Sequence, residues 1–309
     1  MNPEAPIKVP QAIITWLRDI FRGCNERITE KLSNNPNAPE ESFDLTWIEY
    51  LSQYASPKTF SSWTVRIRTH YLGGLRHFGS WEIADIGMLL FFRRGGKIVR
   101  SKVALLQSKR LYPSNLTVQE EDRIDYDIGF ARLADPEDVR VSLAAETEFS
   151  FEENSVYGAL TAGSEQVKAI DDFQREKKLS VYYQFYNPWR LPFTQSIPLS
   201  TYETPKGNLT LGTRVVPAAA VHTIIGNQPK GSTPKVSDFA DCCGKGEHTY
   251  GWCLEFFIAD LLLQCKEGSL FKALSEDRIE SLFYRRSGPI AAAIAISIEL
   301  PEQMEDERI

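Results

Sequence analysis

Residues 81–111 read WEIADIGMLLFFRRGGKIVRSKVALLQSKRL, and this stretch decides the fold. Two nearly continuous apolar runs, ADIGMLLFF and IVRSKVALLQSKR, flank RRGGK, whose paired glycines mark a tight β-hairpin turn. Strands that are apolar on both faces belong inside a sheet covered by helices, so the stretch predicts an α/β core and not a surface ribbon. If the hairpin folds symmetrically about Gly96, Asp85 lies directly across from Gln107. A slip of one residue sends Asp85 to the opposite face, so the register is a sharp expectation.

On the N-terminal side, residues 10–32 predict a helix, because Ile13, Ile14, Leu17, Ile20 and Phe21 recur at helical spacing. NNPNAPEES breaks it, and a second helix is expected from about Leu45 to Tyr54, before Ser56-Pro57. The run from Trp63 to Leu72, closing on Gly73-Gly74, is open between helix and strand. On the C-terminal side, residues 164–178 read as a helix and LSVYYQFYN (179–187) as a buried strand. RVVPAAAV, a Gly, Pro and Ser-rich loop at 226–237, a helix from about Trp252 to Lys266 and the strand GPIAAAIAISIEL follow. The expected organisation is a helical segment at 1–39, a core at 40–187 with a turn-rich acidic insertion at 111–162 around EEDRIDYD, and an α/β extension at 188–309 packed on the core. No internal repeat is present, and the tail EQMEDERI reads as solvated.

With 42% hydrophobic and 25% charged residues the chain falls among globular proteins, away from disordered or fibrous ones. No window carries the ~18 consecutive apolar residues of a membrane span, and MNPEAPIKVP lacks the basic then apolar layout of a signal peptide, so a cytoplasmic protein without membrane contact is expected. Five cysteines, an odd number scattered along the chain, argue for reduced thiols. A net charge of -6 counts against a broad nucleic-acid-coating surface. It leaves room for a local basic track: Arg93, Arg94, Lys97, Arg100, Lys102, Lys109 and Arg110 follow one another without an intervening acid. Arg93, Arg94, Lys97 and Arg110 are accordingly the expected nucleic-acid contacts.

Gln107 and Lys109 are two apart in a strand and project from one face. With Asp85 across from them, three polar groups converge at one end of two buried strands. A hard cation such as Mg²⁺ takes oxygen ligands and keeps several waters, which one carboxylate (Asp85) and one amide oxygen (Gln107) satisfy beside a substrate phosphate. Mn²⁺ is expected to substitute. Lys109 would hold the attacking water or stabilise charge on the scissile phosphate.

WEIADIG followed by KVALLQSKRL resembles the D...(D/E)-x-K signature of the PD-(D/E)xK, or restriction-endonuclease-like, superfamily. The family core runs α, β, β, β, α, β, and the resemblance covers roughly residues 40–187. It implies a mixed sheet flanked by helices, with catalytic residues Asp85, Gln107 and Lys109, and a Mg²⁺-dependent deoxyribonuclease. LLQSKRL is similar to a Q-x-K-R-L form in bacterial members linked with defence against foreign DNA, which implies an effector of anti-phage or restriction defence. Such an enzyme endangers its host, so gating by an ATPase, another regulatory subunit or oligomerisation is expected. Gln107 departs from the commoner acid and removes one negative charge from the metal site. The alternative is therefore a catalytically weak or inactive subunit that binds nucleic acid or a partner. Members often add a further carboxylate; Glu82 and Glu49 are the candidates here, although Glu82, three before Asp85, falls on the wrong face of a regular strand.

Asp241, Cys242, Cys243, His248 and Cys253 crowd one segment without a C-x₂-C pair, which speaks against structural zinc. Nothing marks Cys242 or Cys243 as a nucleophile with His222 or His248. Core packing is the expected role of YYQFYNPW (182–189). Gln166, Gln174, Lys168 and Arg175 read equally as site-facing groups or as a solvated helix face.

Overall fold

The structure is a computed structural model that describes residues 7–36, 38–71, 82–115, 147–197, 207–271 and 290–302. The acidic stretch EEDRIDYD, the Gly73-Gly74 turn and the tail beyond Glu302 lie outside these residues.

Helix α1 (Gln11–Asn34) buries Ile13, Leu17, Phe21, Cys24, Ile28 and Leu32 along one stripe. Helix α2 (Glu40–Ser52) starts directly after Pro39, with Glu40 and Glu41 in its first turn, and buries Phe43, Trp47 and Leu51 at four-residue spacing. It thus begins five residues before the expected start at Leu45. After the short strand β1 (Lys58–Phe60), the ambiguous run forms β2 (Trp63–Tyr71). Its Trp63, Val65 and Ile67 alternate with less buried residues, so period two decides for strand.

The hairpin forms as expected, from β3 (Ala84–Arg94) and β4 (Lys97–Arg110). Gly95 and Gly96 take φ of 56° and 76°, the positive values that a two-residue primed turn requires. From Ile86↔Leu106 to Phe92↔Arg100 the pairs obey the symmetric register; a bulge after Phe92 then shifts them to Arg93↔Ile98. The irregularity sits at the turn and leaves the other end of the hairpin in register.

Strand β5 (Thr147–Phe151), helix α3 (Glu165–Lys177) and strand β6 (Val181–Tyr186) follow, β6 lying parallel to β4. Strands β7 (Arg190–Leu191), β8 (Phe193–Ile197), β9 (Leu209–Thr210) and β10 (Arg214–Pro217) lead to helix α4 (Ala218–Gly226). Two short 3-10 turns (Val236–Phe239 and Gly246–His248), strand β11 (Trp252–Cys253), a helical turn Leu254–Phe256 continuing as a π-helix over Phe257–Leu262, β12 (Ser269–Phe271) and β13 (Ile290–Glu299) complete the described elements.

The central sheet is mixed and nine-stranded, in the order β1-β2-β13-β3-β4-β6-β10-β11, with β12 on β4. β13 enters between β2 and β3, antiparallel to the first and parallel to the second. The sheet therefore crosses the boundary expected at residues 187/188: the C-terminal segment supplies an interior strand as well as flanking structure. Its pattern explains the insertion, since Ile290, Ala292, Ile294, Ile296 and Ile298 are buried while the residues between them are only partly so.

Two apolar layers close over the sheet. On one face, side chains of α1, α2 and the helical segment 254–262 pack on Val65, Ile67, Ile86, Met88, Leu106, Ile294 and Ile296. On the other, Ile170 and Phe173 of α3, Val221 and Ile225 of α4, and Phe149 and Phe151 of β5 cover Leu105, Tyr183 and Phe185. The helical segment expected at 1–39 is thus part of the main core. No helix among the described residues is long and apolar enough to cross a membrane.

Candidate functional site

At the open end of the hairpin Asp85 precedes the first ladder pair, Ile86↔Leu106, and its carboxylate meets the strand opposite. Its Oδ2 accepts from Gln107 Nε2 at 2.7 Å and from the backbone N–H of Ser108 at 2.6 Å. The symmetric register thus brings Asp85 and Gln107 into contact. Gln107 is 2% exposed, and its Oε1 has no hydrogen-bond partner. An orphaned buried acceptor costs roughly 1–3 kcal/mol, which sites for ions or ligands commonly tolerate.

Lys109, with its side chain 4% exposed, turns its ammonium to the first residue of α2, Glu40, at 3.3 Å. The other Glu40 oxygen accepts from the backbone N–H of Arg110 at 2.9 Å. Glu40 went unnoticed because the expected helix began at Leu45. Pro39 followed by two acids is a helix-start signal that would have found it.

One helical turn further, Asp44 is buried under the strand ends. Its Oδ1 accepts from Ser108 Oγ at 2.6 Å and from Tyr186 OH at 2.5 Å. Gln184 Nε2 donates to Ser108 Oγ at 3.1 Å, while Gln184 Oε1 is left without a partner. Ser108 thereby links the two acids, its N–H bound to Asp85 and its hydroxyl to Asp44.

Glu82 precedes β3 and so escapes strand alternation. Its backbone carbonyl accepts from Gln166 Nε2 of α3 at 3.4 Å. Burial, then the charges of Asp85 and Glu41, push its carboxyl up to about 8. Glu49, the other candidate, is exposed near the far end of α2, its charge beside Lys31.

Burial also raises Asp85 to about 6, against the opposing pull of the Lys109 charge and the Ser108 N–H. Asp44 is raised well above the carboxylate range by burial and by the Asp85 charge. Burial acts to lower Lys109, yet Glu40 and Asp85 together hold it above its ordinary value. Glu40, Glu41, Asp44, Glu82 and Asp85 crowd one ammonium, an excess of acid that a bound cation would relieve.

The donors fit a hard divalent ion. Oxygen is the ligand type offered where Asp85 and the unpartnered Gln107 Oε1 meet, and Glu82 and Glu40 add negative charge nearby. Among the described residues no three His, Cys, Asp or Glu side chains lie so that they could hold a metal ion. Mg²⁺ asks for one or two carboxylates and keeps its waters, so it needs no such trio.

Three of the four basic residues expected to touch nucleic acid fall elsewhere, and the fourth is buried. Arg93, Arg94 and Lys97 stand at the hairpin turn, roughly 26 Å along the strand from Asp85 at about 3.3 Å per residue. A hairpin places its turn opposite its open end, so adjacency in sequence was no guide here. Arg110 lies at the site end but is buried, donates to the Pro36 carbonyl and stacks 3.9 Å above the Tyr112 ring. It holds the α1–α2 connection against β4. On α3, Gln174 Oε1 accepts from Val181 N at 3.0 Å, Arg175 pairs with Asp172 at 2.7 Å and Lys168 is exposed.

Among the described residues no cysteine is hydrogen-bonded to a histidine. His222 lies between Tyr183 OH, at 3.0 Å, and Asp171, at 2.7 Å. His248 stacks on Phe256, and Cys253 Sγ receives Arg214 at 2.9 Å. Comparison of the chain with family models, with curated proteins and with solved structures finds no match in any of the three.

Proposed function

We propose that this chain is a metal-dependent nuclease of the restriction-endonuclease-like kind that hydrolyses phosphodiester bonds in DNA. The observation that carries the reading is the Asp85–Gln107 contact beside the buried Lys109, with Gln107 Oε1 left unpartnered. The order α2, β2, β3, β4, α3, β6 supports it, since it follows the core order that the sequence resemblance implies.

In this reading Asp85 and Gln107 Oε1 hold Mg²⁺ or Mn²⁺, with Glu82 or Glu40 as a further oxygen donor. The ion, when bound, supplies Lewis-acid polarisation of the phosphate. Where Glu82 is not a ligand and has lost its own proton, which burial holds up to about 8, its carboxylate would accept the proton of the attacking water as the new P–O bond forms and the P–O bond to the leaving oxygen breaks. Lys109, kept charged and oriented by Glu40, stabilises the negative charge that develops on the phosphoryl oxygens. The leaving oxygen takes its proton from solvent.

The test is plasmid DNA incubated with the full chain in Mg²⁺ or Mn²⁺, in EDTA, and with Lys109→Ala. Cleavage that needs the metal and is lost in the variant is the expected result; metal-independent or Lys109-independent cleavage overturns the reading. The wider role we propose is an effector of anti-phage or restriction defence, gated by self-association or an ATPase partner. Its test is phage plating on cells carrying the wild-type chain or Lys109→Ala.

One observation favours a second reading. Asp85 Oδ2 is already filled by Gln107 and Ser108, and Lys109 is already neutralised by Glu40. A nuclease fold that binds nucleic acid without cutting it would look the same, and DNA binding without cleavage in Mn²⁺ would establish it.

A further inference from the structure

Helices α1 and α2 cover one face of β2, β13 and β3, and on the opposite face the side chains of β2 and β13 are small or at least partly exposed. Cross-strand pairing sets Arg66 against Ser297, Arg68 against Ala295 and His70 against Ala293. The same rungs continue to Phe91, Leu89 and Gly87 on β3. Arg66, Arg68 and His70 therefore form a row beside the small residues of β13, while their neighbours Val65 and Ile67 point into the core. Arg68 and His70 are exposed and Arg66 is partly so. None of the three makes an ion pair or hydrogen bond among the described residues.

Alternation puts Asp85, Gln107 and Lys109 on this same face, because Gly87 pairs with Leu105. The row runs toward them. His70 stands two strands across and about one rung along from Asp85, roughly 12 Å away at ~4.8 Å per strand and ~3.3 Å per residue. The other acid on these rungs, Glu299, lies at the far end and accepts from Gly96 N at 2.9 Å. A strip of basic side chains, on a chain whose net charge is -6, ends at the carboxylate cluster.

We infer that the β2 side of this sheet face, beside Ala293 and Ala295 where they pack against the second apolar layer, seats a polynucleotide strand, with Arg66, Arg68 and His70 holding successive phosphates and feeding the backbone toward Asp85. Alternate residues of a strand recur every ~6.7 Å, so the row offers one basic group per rung to an extended phosphate backbone. Arg66 and Arg68 carry fixed charge and planar donors suited to phosphate; His70 adds a donor nearest the site. The inference takes the place of the hairpin-turn residues Arg93, Arg94 and Lys97 as the substrate track. It rests on the nuclease reading for the direction of the strand.

The experiment is fluorescence anisotropy of labelled single-stranded and duplex DNA titrated with the full chain in EDTA, over a range of salt. Arg66→Gln/Arg68→Gln/His70→Gln is compared with Arg93→Gln/Arg94→Gln/Lys97→Gln, and Arg68→Gln alone serves as the mildest variant. Melting curves check that each is folded. The slope of log affinity against log salt is expected to flatten in the β2 variant by about 0.7 for each phosphate no longer neutralised on a single strand, or about 0.9 on duplex, and to change less in the turn variant. The single variant should show a third to a half of the effect. Whichever DNA form shows the flattening identifies the strand that is seated. An unchanged slope in the β2 variant, an equal change in the turn variant, or no DNA binding by the wild type overturns the inference. Binding that depends on the β2 row without any cleavage in Mn²⁺ upholds the track and sinks the nuclease reading instead.

Discussion

Gln107 gives its amide nitrogen to Asp85 at 2.7 Å and leaves its amide oxygen buried without a partner. Replacing it by Glu sets two carboxylates at that distance, a repulsion that only a proton or a cation resolves. Gln107→Glu is expected to melt below wild type in EDTA and to regain most of the difference in Mg²⁺ or Mn²⁺. A loss of stability that the metal does not touch would show that Gln107 is a structural amide and no ligand.

Asp85→Asn faces Gln107 with a second neutral amide and removes the carboxylate that both Gln107 and Ser108 bind. It should abolish metal-dependent cleavage and the melting shift that metal gives. Gel assay and thermal melting in parallel measure both, and a metal shift of wild-type size in the variant would remove Asp85 as a ligand.

Glu40 and Lys109 divide the roles of orienting and acting. Lys109→Ala should lower the cleavage rate by ~10²-fold or more while leaving DNA binding intact, as expected of a group whose charge matters in the transition state. Glu40→Gln keeps one oxygen, enough for the Lys109 ammonium or the Arg110 N–H but not both, and should cost less than Glu40→Ala. Single-turnover rates at saturating metal rank the three; equal rates for both Glu40 variants would mean that its charge, not its grip on Lys109, is what counts.

The carboxyls make stability depend on pH in an unusual direction. Asp85 and Glu82 bind protons more tightly in the folded chain, at about 6 and about 8, than in the unfolded one. Their contribution is therefore fully present below the ordinary carboxylate range and is lost as pH rises toward those values. In EDTA the melting temperature should fall from pH 5 to pH 8, and added Mn²⁺ should raise it more at pH 8 than at pH 5. A metal effect that does not grow with pH would separate these groups from the ion.

Asp44 tests whether the buried network holds a neutral acid. Oδ1 alone takes both hydroxyls, from Ser108 and Tyr186, and an amide offers the same oxygen. Asp44→Asn should cost under about 1 kcal/mol, whereas Asp44→Ala strands two buried hydroxyls at on the order of 3 kcal/mol. Urea denaturation measures both, and an equal loss in the two variants would mean that a charged carboxylate is needed.

Much of this was legible along the chain, because it is local. The hairpin, its register and the meeting of Asp85 with Gln107 follow from an apolar run, a Gly-Gly turn and a two-residue period, all within about thirty residues. The helices at 11–34 and 165–177 and the strand at 181–186 follow from their periodicity in the same way. Tertiary structure decided what depends on neighbours distant in sequence. β13 lies some two hundred residues beyond β3, and nothing in IAAAIAISI says which two strands it will separate. Glu40 reaches Lys109 only because α2 packs Phe43 and Trp47 across the strand ends. The basic run at 93–110 looked continuous in one dimension, but an antiparallel hairpin sends its two halves to opposite ends of the sheet, so Lys109 reaches the site while Arg93, Arg94 and Lys97 do not, and an exposed basic row on the Asp85 face comes instead from β2. Periodicity determines what a segment becomes; which segments meet is set by burying their apolar faces together, and that choice belongs to the whole chain.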